Sequence, residues 1–115
     1  MRKDLWGYAP NETLANQDLI KEAYRGIRPA PGYPACPEHT VKREMFDTLR
    51  CEEIGMILTE SYAMSPASSV SGFYFSHPES DYFNVGPIAQ DQLKDLVKRS
   101  GRDEVELRRA LASLL

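Results

Sequence analysis

The sequence predicts an α+β fold formed by a single domain spanning residues 1–115. Three observations carry this: several amphipathic segments at helical spacing, a few short extended runs, and no alternation of strand and helix. The length suits one small domain. The balance of 42% apolar and 27% charged residues is that of a soluble globular chain.

Residues 1–15 hold the turn formers Gly7, Pro10 and Asn11 around Trp6 and Tyr8, and read as an extended lead-in that pins this aromatic pair. Asn16 is a good N-cap. Behind it Leu19, Ile20, Ala23 and Tyr24 recur at helical spacing, so a first helix is expected from Asn16 to its stop at Gly26. Residues 27–40 follow, with prolines at 29, 31, 34 and 37. Each proline fixes φ, removes a backbone donor and pushes the preceding residue to extended geometry, so neither helix nor central strand fits. A stiff, ordered loop with exposed carbonyls is predicted.

Thr40 is placed to cap a second helix whose inward face is Met45, Phe46 and Leu49. Residues 56–59 are a short strand candidate, residues 60–68 a connecting loop, and residues 69–75 a stronger strand with aromatics on both sides. Residues 81–85 form a further short extended piece. Pro87 marks the first position of a helix with the apolar stripe Ala89, Leu93, Leu96 and Val97, closed by Gly101. Asp103 with Glu106 is a capping-box-like pair opening a last helix, which buries Leu107, Ala110, Leu111 and Leu114.

Charge and composition narrow the function classes. A net charge of −3, from 14 basic and 17 acidic residues, supplies no field for a phosphate backbone, so no nucleic-acid partner is expected. No run approaches the roughly 20 apolar residues that span a bilayer, and no apolar stretch follows the basic N-terminus, so neither a membrane span nor a signal peptide is expected. Cys36 and Cys51 form no disulfide framework and read as free thiols in a reducing cytoplasm. Cys36 and His39 have metal-like spacing, but no second pair completes four ligands, so no metal site is expected.

The segment Arg28-Pro-Ala-Pro-Gly-Tyr-Pro-Ala-Cys-Pro-Glu-His-Thr40 closely resembles the proline-rich motif of the S-adenosylmethionine-binding activation domain of cobalamin-dependent methionine synthases. The resemblance continues through residues 58–61, Ala63-Met64, residues 69–72, 74–78, Tyr82 and Asp91-Gln92, and includes the lead-in at residues 6–12. It implies helices around a small, mainly antiparallel curved sheet. It also implies that residues 1–115 are the C-terminal portion of a domain about three times as long. The implied function is reactivation: S-adenosylmethionine is presented for reductive methylation of cob(II)alamin to methylcobalamin, while a flavodoxin-type or flavoprotein partner supplies one electron. Cobalamin is then held by a separate domain or partner.

The resemblance places S-adenosylmethionine against Arg28, Ala30, Gly32, Tyr33, Tyr82 and Phe83. The residue types suit it. Arg28 offers a planar fork for a carboxylate. The loop presents carbonyls and amides of Ala30 and Tyr33, and Gly32 permits close backbone approach or positive φ. Tyr82 supplies a hydroxyl and Phe83 an aromatic wall; the family usually has tyrosine at both places, so Phe83 lacks one hydroxyl. The nucleophile of this chemistry is the cobalt, so no catalytic side chain is assigned. The competing class is a non-catalytic remnant or interaction module that docks on a corrinoid or flavodoxin-like protein. An incomplete domain is also expected to self-associate through uncovered apolar surface, giving a homo-oligomer.

Overall fold

A computed structural model describes every residue from Met1 to Leu115. The class is α+β: four α-helices and one antiparallel pair of strands. The chain divides into two compact units, Met1–Pro29 with Phe73–Tyr82, and Ala30–Gly72 with Phe83–Leu115.

In the first unit the lead-in turns at Met1–Trp6 (Trp6 N–H to Met1 O, 2.9 Å) and stacks Trp6 edge-on to Tyr8, with ring centroids 5.1 Å apart. Helix α1 spans only Asn16–Ile20, with Ala15 rather than Asn16 at the cap; the Asp18 carboxylate accepts the Ala15 N–H at 2.8 Å. Its last residue, Ile20, lies six positions before Gly26, because Glu22 takes positive φ (56°). The Glu22 N–H then donates to Leu19 O and the Ala23 N–H to Asp18 O, the paired bonds of a Schellman ending. Leu19 and Ile20, expected on a buried face, are exposed.

Gly26 therefore serves a different purpose from helix termination. At φ 75° it lets the chain pass the Phe75 carbonyl, where a Cβ would come within 2.0 Å of the oxygen. Ile27 and Phe75 then exchange both backbone hydrogen bonds at 3.0 Å, and the Phe73 N–H donates to Pro29 O at 2.9 Å. The expected strand over residues 69–75 goes no further than this. Pro29 has no N–H to return to Phe73, so the ladder ends at the second pair.

The second unit contains the sheet and the core. Helix α2 spans Val41–Leu49 and buries Lys42 and Phe46; Met45 is half-buried and Leu49, expected to face inward, is exposed. Thr40 precedes it without a side-chain cap. Strand β1 (Ile57–Leu58) pairs antiparallel with β2 (Met64–Ser65), in register Ile57 to Ser65 and Leu58 to Met64. β2 lies where a connecting loop was expected. The turn between them is closed by Thr59: its N–H donates to Ala63 O and its hydroxyl accepts the Ala63 N–H. The buried Lys42 ammonium donates to Tyr62 O at 3.1 Å and ties this turn to α2.

Helix α3 (Gln90–Ser100) and helix α4 (Glu104–Ala110) pack together over Leu93, Leu107 and Leu111, with Ile88, Leu96, Val97 and Leu114 around them. Leu93 and Leu107 are fully buried, and each such side chain contributes about 1.5–3 kcal/mol. Pro87 lies outside α3, whose cap is Ala89, its N–H held by Gln92 Oε1 at 2.8 Å. Of the expected Asp103–Glu106 capping box, the Asp103 half forms: its Oδ1 accepts from Val105 N–H and Glu106 N–H at 2.9 and 3.0 Å, while the Glu106 side chain makes no return bond to the Asp103 N–H. No helix is long and apolar enough to cross a membrane.

Candidate functional site

The residues singled out by sequence fall into two groups, one in each unit. The first is organised by the short ladder of residues 27–29 against 73–75. Ile27 and Pro29 are buried while Arg28 between them is exposed, the period-2 alternation of an extended chain. The Ile27–Phe75 pairing places Tyr74 directly across from Arg28.

Tyr82 closes on this ladder from its own unit. Its phenolic oxygen accepts the Arg28 backbone N–H at 2.8 Å, and the Tyr24 O–H lies 3.4 Å from the same oxygen, a long and weak hydrogen bond. A phenol has one donor and two acceptor positions. With both acceptor positions turned toward Arg28 and Tyr24, the Tyr82 O–H proton is left to donate elsewhere.

The Arg28 guanidinium stands over the Tyr24 ring, 5.3 Å from its centroid, and makes no ion pair. Burial works against its charge, but Tyr24, Tyr82 and Tyr74 outweigh that, so it holds its proton more firmly than a free arginine. Burial, then the Tyr82 hydroxyl, push the Tyr24 phenol above its ordinary value; it stays a protonated donor.

The opposite situation holds at Arg2. Its guanidinium is 5.1 Å from the Tyr24 centroid, pairs with Glu12, and donates to Arg25 O at 3.0 Å. Glu12 also accepts the Arg25 N–H at 2.9 Å. Burial alone would raise the Glu12 carboxyl, but the Arg25 amide, Arg2 and Lys3 together bring it below its ordinary value. Arg25 in turn donates to Ser76 O and Tyr8 O. So Arg2 and Arg25 are consumed in holding the lead-in, and Arg28 keeps a free charge.

The second group is the proline-rich loop. The Tyr33 N–H donates to Ala30 O (3.2 Å), the Gly32 N–H to Cys36 O (2.8 Å) and the Cys36 N–H to Tyr33 O (2.8 Å). The expected free carbonyls of Ala30 and Tyr33 thus each accept one bond within the loop, which fixes their direction and leaves one lone pair apiece. Gly32 has φ 96°, and the His39 ring sits against it where a Cβ would come within 2.3 Å. Both reasons for glycine apply here. The Tyr33 side chain is exposed, as is Phe83, whose segment is tied to the loop by Val85 N–H to Pro34 O at 3.2 Å.

The loop is held at its far end by Arg102, which donates to Glu38 Oε1 at 2.6 Å and to Thr40 Oγ1 at 3.0 Å. Cys36 is half-buried; burial, then the Glu38 charge, push its thiol up. No group of three His, Cys, Asp or Glu side chains converges anywhere.

The structure therefore brings Arg28 and Tyr82 together in one unit, and Ala30, Gly32 and Tyr33 together in one turn of the other. Tyr24 and Arg102 were not singled out by sequence, and Tyr74, within the resembling segment 74–78, was not assigned to the site. Tyr24 was read as an apolar-face residue of α1, and only the early Schellman ending frees it from that role.

Residues 1–101 match the family model described as vitamin B12 dependent methionine synthase, activation domain. Among solved structures, the chain is 56% identical to a crystal structure of the MetH reactivation domain bound to AdoHcy, with a TM-score of 0.90. The match covers 99% of this chain and 35% of that one, so the chain spans about a third of that neighbour's length.

Proposed function

The chain belongs to the family of vitamin B12-dependent methionine synthase activation domains, and from that membership we propose that residues 1–115 are the C-terminal portion of such a domain and hold S-adenosylmethionine for reactivation. The observation that carries this reading is Arg28: a guanidinium seated on an aromatic face, without a carboxylate partner, beside a Tyr82 hydroxyl with its proton to give. A cation and a donor side by side are what an amino-acid carboxylate requires. A solved relative, the MetH reactivation domain bound to AdoHcy, supports the same choice, since AdoHcy carries that carboxylate.

In this reading Arg28 pairs with the carboxylate through its planar fork. Tyr82 donates its O–H to the same end of the ligand. The loop of Ala30, Gly32 and Tyr33 offers the ligand backbone groups already fixed by internal bonds, so little ordering of that loop remains to be done on binding. Phe83 offers a ring without a hydroxyl. Cobalamin, held by a separate domain of the methionine synthase, supplies the methyl-accepting cobalt when bound; the residues of this chain hold and orient the methyl donor. A flavodoxin-type or flavoprotein donor provides the electron, and the setting is the cytoplasm. Exposed apolar residues, Ile54 and Val70 among them, support self-association of the chain in isolation.

The test is calorimetry with S-adenosylmethionine on the protein that carries this chain together with the rest of its domain. A charge-assisted contact of this kind is worth about 1.5–3 kcal/mol, so Arg28→Ala weakens binding roughly tenfold to a hundredfold. Arg28→Lys restores only part. Unchanged affinity in a folded Arg28→Ala variant overturns the assignment of Arg28. Absence of binding in the wild type overturns the S-adenosylmethionine reading.

A further inference from the structure

We propose that Tyr24 is a positioning residue for ligand recognition: its ring is the platform that presents the Arg28 guanidinium to a carboxylate. The proposal rests on the reading of Arg28 given above.

Tyr24 sits at the end of a continuous chain of contacts. Glu12 fixes Arg2 through their ion pair, and the Arg25 carbonyl fixes it a second time. Arg2 lies 5.1 Å from the Tyr24 centroid, and Tyr24 lies 5.3 Å from the Arg28 carbon that bears the charge. The Tyr24 hydroxyl reaches the oxygen of Tyr82, which also accepts the Arg28 backbone amide. Tyr24 thus touches the side chain of Arg28 and the partner of its main chain.

The electrostatics explain why an aromatic residue is needed. A carboxylate under Arg28 would hold it equally well but would neutralise it, leaving nothing for the ligand. A ring face attracts the guanidinium through its quadrupole while leaving the net charge intact. Arg2, paired to Glu12, shows the contrast within the same unit: an arginine over the same ring whose charge is already spent. An aliphatic side chain would fill the space but offer no attraction, and Arg28 would sample its rotamers before each binding event.

The experiment compares Tyr24→Leu and Tyr24→Phe in the protein with the rest of its domain present, titrated with S-adenosylmethionine and with its decarboxylated analogue. Leucine keeps an apolar side chain and removes the ring face. Phenylalanine keeps the face and loses only the hydroxyl. A cation–ring contact of this exposure corresponds to roughly a two- to fivefold change in affinity. Tyr24→Leu is therefore expected to weaken S-adenosylmethionine by that factor, Tyr24→Phe by less, and neither to change binding of the analogue. In an Arg28→Ala background, Tyr24→Leu has no further effect.

Equal loss for both ligands overturns the proposal and makes Tyr24 a general packing residue. So does equal behaviour of leucine and phenylalanine, or full additivity with Arg28→Ala. If wild-type protein binds the two ligands alike, the reading of Arg28 itself fails, an outcome separate from the others.

Discussion

Arg102, in the turn between α3 and α4, donates to Glu38 at 2.6 Å and to Thr40 at 3.0 Å, joining residues more than sixty positions apart in sequence. One guanidinium thereby anchors the end of the proline-rich loop to the helical core. The pair is partly exposed, and such ion pairs contribute at most about 1 kcal/mol. Arg102→Ala is expected to lower stability by that order, less at high salt. Arg102→Lys restores only part, because an ammonium lacks the fork that reaches both oxygens. Urea denaturation at two salt concentrations measures it; an unchanged midpoint in Arg102→Ala would remove the anchor from the account.

Gly32 is predicted to tolerate no side chain. Alanine there meets both an unfavourable φ of 96° and the His39 ring. The left-handed backbone alone costs roughly 1–2 kcal/mol, and the contact adds to it. Gly32→Ala with His39→Ala removes the contact and leaves the backbone strain, so the double variant is expected to melt between wild type and Gly32→Ala. Thermal melts of the three proteins decide it, and a double variant no better than the single one contradicts the packing.

The Glu12–Arg2 pair should give stability a defined acid dependence. The folded-state carboxyl lies below its ordinary value of 4.5. A depressed carboxyl contributes stability fully above its unfolded pKa and loses it as pH falls through the folded one. Glu12→Gln is therefore destabilising at neutral pH, and the gap to wild type narrows progressively as pH falls below the ordinary carboxyl value of 4.5. A gap that stays constant down to pH 3 means that the carboxylate charge is not what Glu12 contributes.

Leu93 and Leu107 are fully buried where α3 crosses α4. Truncating either to alanine costs about 2–5 kcal/mol by lost burial and cavity formation. In a core this small that is a large share of the total, so both variants are expected to lose the cooperative helical transition in circular dichroism. Retention of a wild-type melting curve would mean that the helix pair is not the core.

How far the sequence foretold the molecule depended on how local each determinant is. The proline-rich loop was legible because four rigid residues leave few conformations, and Asp103 because its carboxylate bonds amides two and three residues away. The strand at residues 69–75 was overestimated because its partner contains Pro29, a fact visible only once the partner is known. β2 was missed because two residues carry no period. Tyr24 was misread for a related reason: its spacing from Ile20 is helical, but Glu22 ends the helix between them by a backbone choice that glycine usually makes.

The alternation at residues 27–29, buried, exposed, buried, makes the position of Arg28 a matter of parity. Gly26 and Pro29 pin the two ends of that stretch, one against the Phe75 carbonyl and the other by accepting from Phe73. A single residue inserted or deleted between them would turn the guanidinium inward and an apolar side chain outward, with every functional residue still present. The segment can therefore drift in identity at some positions but is frozen in length. Frame-preserving indels here should abolish ligand recognition as surely as the loss of the arginine itself.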